Sequence, residues 1–259
     1  MMRGLVEEKI ESLTLMKNYP KQLSYSGNID LLKHLKVSII GSRKPTPYTK
    51  TMTHNLSQVL SHAGVCIVSG GAMGVDAIAH AGAGTANTIA VLPNGLDHKY
   101  PAINKKLLSS IEQEGLLLSQ FDDDFIATPW SFVVRNELVI ALGEVLVVMQ
   151  ADIDSGSMRS AEFALEMGKE IYVLPHRLGE SKGTDELLKN KNAKLILDIE
   201  EFAAQFADRK KEVTYKDEFL EFCKTNPTCD EAVLDYSDRV YEAELEGLIK
   251  VENGKIFLL

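Results

Sequence analysis

Residues 37–50 read VSIIGSRKPTPYTK and residues 65–80 read VCIVSGGAMGVDAIAH. Each stretch opens on a short, unbroken apolar run rich in β-branched residues, turns through Gly and Ser, and leaves as an amphipathic stretch of helical length. A strand that is apolar without alternation is buried on both faces, as in parallel sheets covered by helices. The unit recurs: TIAVL (88–92), LLLSQF (116–121), EVLVVMQA (144–151), EIYVLP (170–175) and KLILDI (194–199) read as strands, and 49–64, 75–86, 129–143, 159–169 and 200–207 as helices. Strand, helix and strand repeated this often predict right-handed crossovers. The fold expected for 1–207 is α/β, an extended Rossmann-like, doubly wound, mostly parallel sheet.

Bulk composition agrees with a folded domain. The chain has 259 residues, of which 45% are hydrophobic and 25% charged, which is a globular balance long enough to build a core without staples. No run approaches the roughly 18 apolar residues of a membrane span. The opening MMRGLVEEKIESL is charged where a signal peptide is apolar, and Cys66, Cys223 and Cys229 form an odd set without paired zinc spacing. Both features predict a reducing cytoplasm, with neither disulfide nor metal. The net charge of −9 is unevenly spread: 212–259 holds 5 basic and 12 acidic residues, leaving 23 − 25 = −2 for the rest. Residues 41–50 carry Arg43, Lys44 and Lys50 and no acid, so a local field for a polyanion survives the acidic total.

In an open parallel sheet, ligands bind beyond the carboxyl ends of the strands. The segments there are 41–47, 69–74, 93–101, 122–132, 154–157 and 176–184, most of them rich in Gly, Ser and Thr. Such loops let backbone N–H groups approach an oxyanion, and helix N-termini add partial positive charge, so together they read as a cradle for phosphates. Familiar catalytic signatures are missing. The first turn is Gly41-Ser42-Arg43 rather than G-x-G-x-x-G, and the chain has no G-x-x-x-x-G-K-[ST], G-x-S-x-G or H-E-x-x-H. The run Asp122-Asp123-Asp124 has no second carboxylate opposite it. His80, within DAIAHA, reads as a packed core histidine and Cys66 as an inert strand residue. Trp130 and Phe132, at a helix start, read either as core or as an exposed platform on which a stacked base is worth about 1–3 kcal/mol. The lysines of 185–194 read as a solvated face.

Beyond residue 207 the character changes. Residues 208–211 read as a charged linker. Residues 212–259 read as three short helices closed by a hairpin around Asn253-Gly254, the layout of a winged-helix-like domain. The helix that would read DNA carries Glu242, Glu244 and Glu246, so contact with a protein or plain packing fits it better than DNA reading.

The order of motifs YPKQLSYSGN (19–28), VSIIGSRKPTPYTK (37–50), VCIVSGGAMGVDAIAH (65–80), TIAVLPNGLDHKYPAINKKL (88–107), FVVRNELVIALGEVLVV (132–148), DSGSMRSAEFALEMGKEIYVLP (154–175) and GTDELL (183–188) resembles the DNA-processing protein A (DprA/Smf) family, from about residue 19 to 197. The resemblance implies a cytoplasmic, non-catalytic homodimer without cofactor or membrane association. It would bind and protect single-stranded DNA during natural transformation and load the RecA recombinase onto it. Duplex DNA stays open as a second ligand, and other competence proteins as partners of the C-terminal domain. Carried over residue by residue, Gly41, Ser42 and Arg43 match the family's phosphate loop, and Gly70, Gly71 and Gly74 its second glycine loop. Arg135 and Asn136 match its R-N pair, Ser155, Gly156 and Ser157 its S-G-S turn, and Phe132 an aromatic position resembling a base-stacking site. Departures matter as well. Gln120 stands where many members have an acid, Pro129 where a basic residue is expected, and Val133-Val134 ahead of Arg135 leave one positive charge fewer. These losses shift phosphate binding onto Arg43, Lys44 and the lysines near Lys182. The competing reading is a nucleotide hydrolase of the LOG or lysine-decarboxylase-like group. Its P-G-G-x-G-T-x-x-E would correspond to DSGSMRSAE here, with Glu162 as the hydrolytic acid.

Overall fold

The structure, a computed structural model, describes residues 2–214, 218–245, 248–252 and 254–258; Glu246 and Asn253, which enter the reading above, lie outside them. The chain forms two compact units, Met1–Ala204 and Gln205–Leu259.

The first unit is built on a nine-stranded sheet. Its strands are β1 (Arg3–Leu5), β2 (Ser24–Gly27), β3 (Lys36–Ile40), β4 (Cys66–Ser69), β5 (Thr88–Val91), β6 (Leu116–Ser119), β7 (Val145–Val148), β8 (Ile171–Val173) and β9 (Lys194–Leu195). They lie in the order β1-β2-β6-β5-β4-β3-β7-β8-β9. All of β3–β9 run parallel, and only β1 and β2 are antiparallel to their neighbours. Every residue of β3 through β8 is buried, as the unalternating apolar runs require. The helices are α1 (Pro47–His62), α2 (Val75–Ala83), α3 (Lys105–Glu114), α4 (Pro129–Leu142), α5 (Gly156–Glu166), α6 (Lys182–Lys189) and α7 (Ile199–Thr214). The doubly wound class expected from the sequence is therefore the one observed. From β3 the sheet grows one way through β4, β5 and β6 and the other way through β7, β8 and β9, so the strand order reverses between β3 and β7. That reversal opens a crevice at the carboxyl ends.

Helix α4 crosses this end of the sheet and is fixed at both of its own ends. At its start Thr128 and Ser131 form a reciprocal capping box, with Thr128 N donating to Ser131 Oγ at 2.9 Å and Ser131 N to Thr128 Oγ1 at 3.3 Å. At its finish Lys169 Nζ donates to the carbonyls of Ala141, at 2.7 Å, and Gly143.

Several elements differ from the sequence reading, each for a physical reason. The run 194–199 yields only Lys194–Leu195, because β9 is an edge strand with Leu195 and Leu197 largely exposed. Helix α5 begins at Gly156 rather than 159, because Ser155 Oγ accepts from Met158 N and starts the helix early. Helix α6 takes up part of the stretch read as a solvated face, with Leu187 as its buried anchor. Residues 208–211, read as a linker, lie within α7.

The second unit contains α8 (Glu218–Cys223), α9 (Cys229–Tyr236), α10 (Asp238–Leu245) and an antiparallel pair, β10 (Ile249–Glu252) with β11 (Lys255–Leu258). Its core gathers Phe219, Leu220, Cys223, Ala232, Val240, Ala243, Ile249 and Ile256. The three helices and the paired strands follow in the order the sequence predicts.

His80 is fully buried on α2. Its Nδ1 lies 2.7 Å from Thr88 Oγ1, whose own hydrogen goes to the Ile67 carbonyl at 2.8 Å. Nδ1 therefore carries the proton, and Nε2, which has no hydrogen-bond partner among the described residues, is the bare nitrogen. Burial first, and then the charge of Arg135, push its pKa down to about 3. Between about 6.5, the ordinary histidine value, and 3, the unfolded chain takes up a proton that the folded chain refuses. Stability from this group is thus complete above that window and falls as pH drops through it, by up to about 1.4 kcal/mol per pH unit. Urea denaturation of wild type and His80→Asn across this range should show the steeper acid loss in wild type. Equal slopes would mean that His80 titrates like an exposed histidine.

Candidate functional site

A cleft of about 400 Å³ opens at the crevice between β3 and β7. Gly41, Ser42 and Arg43 after β3, Gly70 and Ala72 after β4, and Ala151, Asp152, Ser155, Gly156 and Ser157 after β7 supply its loops. Arg135, Asn136 and Val139 of α4 supply its remaining wall.

The loops after β3 and β4 are locked together by their backbones. Ser42 N donates to the Gln150 carbonyl at 2.8 Å, and the Ser42 carbonyl accepts from Val75 N at 3.1 Å. Gly74 has φ +80°, and a Cβ there would lie 2.6 Å from the Arg43 carbonyl carbon. Only glycine meets both demands, the left-handed backbone and the close approach.

Arg135 is the group on which this wall is built. It is only 4% exposed. Its Nη1 donates to the carbonyls of Val91, at 2.7 Å, and Gly70, and its Nε donates to Asn136 Oδ1 at 3.0 Å. The guanidinium thus joins α4 to the ends of β4 and β5. A Cβ on Gly70 would lie 2.6 Å from Arg135 Cζ and 2.7 Å from Asp76 Oδ2, so the missing side chain makes room for this pair. Burial pushes the Arg135 pKa down to about 10, against the pull of the Asp76 charge, which leaves it cationic at neutral pH. Burial pushes Asp76 upward, opposed by Arg135 and by the Ala72 amide, which donates to Asp76 Oδ2 at 3.3 Å.

Beside the cleft lies an aromatic shelf. Phe132 packs edge-on to Tyr100 at 5.9 Å between centroids, and Tyr100 is half exposed. Arg43 Cζ stands 5.7 Å from the Phe132 centroid and Arg135 Cζ 6.0 Å from it. A small hollow of about 40 Å³, lined by Arg43, Gly70, Met73, Pro93, Tyr100 and Phe132 among others, joins shelf to cleft. Exposed Arg43 borders both.

The structure therefore gathers Gly41, Ser42, Arg43, Gly70, Arg135, Asn136, Ser155, Gly156 and Ser157 around one cleft and puts Phe132 at its side. Gly71 and Gly74 shape the turn instead of lining the cleft; Gly71 has φ +67° and a Cβ there would sit 3.0 Å from Leu108 Cδ2. Lys44 and Lys182 are exposed and also lie outside the lining. Asp76, Asp152 and Ser160 belong to the site although they were not among the expected site residues, and so does Tyr100, whose loop 93–101 was marked but whose ring was not singled out. Glu162 is exposed on α5 and is not part of the lining. Trp130 is largely exposed and meets Phe121 edge-on at 5.8 Å. Among the described residues, no three His, Cys, Asp or Glu side chains gather to hold a metal, and no helix is long and apolar enough to cross a membrane.

Residues 7–207 match the family described as DNA recombination-mediator protein A. The chain is 33% identical over 199 residues to the DNA processing protein DprA of Bacillus subtilis (strain 168), covering 75% of this chain and 67% of that one. It is 34% identical over 189 residues to the protein Smf of Escherichia coli (strain K12), covering 71% of this chain but only 50% of that protein. The solved structure of DNA processing protein A from Helicobacter pylori, described by its single-stranded DNA binding mode, is 43% identical with a TM-score of 0.78, covering 80% of this chain and 96% of that one. DprA from Streptococcus pneumoniae is 31% identical with a TM-score of 0.72, covering 78% and 73% of the two chains. A matched family spanning both glycine loops, α4 and the turn after β7 leaves one assignment: the chain belongs to the DNA recombination-mediator protein A family, the DprA/Smf proteins.

Proposed function

We propose that the chain binds single-stranded DNA along the rim where the parallel strands end, with phosphates in the cleft and a base on the Phe132–Tyr100 shelf, and carries out no chemical step on it. The observation that carries this reading is the position of Arg43, a solvent-facing cation that lines the phosphate cleft while standing 5.7 Å from the Phe132 centroid. A polynucleotide alternates charge and aromatic face, and this rim offers the complement of both within one side chain's reach. The N-terminus of α5, with Ser155 as its cap, adds backbone donors to the same cleft. The single-stranded DNA bound by the Helicobacter pylori relative supports the same ligand here. In keeping with the family, the reading extends to a cytoplasmic homodimer that shields incoming DNA in transformation and passes it to RecA. A winged-helix-like second unit would then contact other competence proteins rather than duplex DNA. The hydrolase reading needs an acid over a glycosidic bond. Glu162, the acid that reading names, is exposed on α5 and is not in the lining.

The two arginines separate binding from folding. Arg43→Ala should weaken binding of a single-stranded oligonucleotide, lower the salt slope by about 0.7, the worth of one phosphate contact on a single strand, and leave the urea midpoint unchanged. Binding titrations at several salt concentrations check this, and an unchanged slope removes Arg43 from the strand. Arg135→Met should instead leave the Gly70 and Val91 carbonyls without their buried donor and cost about 1–3 kcal/mol of stability per orphaned group, read by urea denaturation. Phe132→Ala should weaken strand binding by about 1–3 kcal/mol whatever the base, and a loss confined to one base would contradict simple stacking.

A further inference from the structure

We infer that the strand track continues past the cleft onto a second base platform, Tyr48, served by Lys44, Arg177 and Lys182; this rests on the single-strand reading above. Tyr48 sits in the first turn of α1 and is 40% exposed. It meets His176 at 5.7 Å in a T-shaped contact with an interplanar angle of 83°. The His176 side chain is fully enclosed, and its Nε2 lies 2.8 Å from the Met149 carbonyl oxygen, within donating distance. A T-shaped contact uses at most one face of the phenol ring, and a residue this exposed leaves ring surface for a base. The platform is bolted to the cleft wall. Thr46 N donates to Gln150 Oε1 at 2.9 Å, Ala151 N to Ser181 Oγ at 3.0 Å, and Gly183 N to the Ala151 carbonyl at 2.8 Å, Ala151 itself lining the cleft.

Charge around Tyr48 suits a polyanion. Lys44, Arg177 and Lys182 are exposed, and among the described residues none of them is ion-paired with a carboxylate. Glu180 works against it: its charge acts on the Tyr48 hydroxyl, and its Oε2 lies 3.8 Å from His176 Nδ1 and accepts from Arg177 N at 3.3 Å. Lys44 and Lys182, which lie outside the cleft, thereby acquire a place on the strand's path.

The test is binding of oligothymidylates from about 4 to about 16 nucleotides, a span that covers common single-strand site sizes. Tyr48→Ala should bind the shortest like wild type but the longest about tenfold more weakly, and Tyr48→Phe should restore the wild-type series. Lys182→Ala should flatten the salt slope for the long strand alone. Phe132→Ala should weaken every length. Indistinguishable series for Tyr48→Ala and wild type would overturn the second platform while leaving the first intact. So would an equal loss at all lengths, which would place Tyr48 in the cleft's own binding step. A wild-type chain that retains no strand of any length would overturn the single-strand reading itself.

Discussion

The rim depends on a cation buried against strand ends. Carbonyls at the carboxyl edge of a parallel sheet have left the ladder and still need donors. Arg135 supplies them to Gly70 and Val91 from α4, a separate element, and so fixes the distance between helix and sheet. Burying a charge is costly, and the charge of Asp76 on α2 offsets part of that cost through space. Three elements thus meet at one guanidinium, and the absence of a side chain at Gly70 is the steric condition for that meeting. Phe132 stands one turn before Arg135 on α4, so what fixes the arginine also fixes the base platform.

An acidic protein can hold a polyanion because the field at the rim is local. Arg43 faces solvent, Arg135 contributes from within the wall, and the α5 N-terminus, with Gly156 and Ser157 in the lining, adds partial positive charge. Against them stands Asp152 in the same lining. Pro129, Val133 and Val134 add no charge to this end of α4, so fewer phosphates can be neutralised directly. Affinity on the proposed track then rests more on backbone donors and rings, which salt screens less than it screens exposed lysines.

Much of this was legible in the sequence because burial on both faces leaves a plain mark. The runs of β3 through β8 could be read from hydrophobicity alone, and the glycine turns that follow them located the rim. The short strands β1 and β2 left no such mark, since three or four residues at a sheet edge carry too little pattern. The role of Arg135 was readable in part: it falls on the helical stripe of Ser131, Leu138, Val139 and Leu142, all buried, which argues for an inward-facing arginine. Tyr100 was not readable, because a loop has no period to say which way a ring faces. Tyr48 was not readable for another reason: it lies on α1, but its partner His176 comes from beyond β8, far away in the sequence.

What a strand would meet on this rim also bears on selectivity. Reading a base requires donors and acceptors placed at its edge, as bidentate amide or guanidinium pairs are. Here the guanidinium best placed for such a task, Arg135, is already engaged with main-chain carbonyls, and Asn136 Oδ1 accepts from its Nε. The surfaces left for bases are the faces of Phe132, Tyr100 and Tyr48, which stack on any base. On the proposed track, a rim whose Arg135 is committed inward and whose stacking surfaces are aromatic would take a single strand by its backbone and its stacking, indifferent to its sequence.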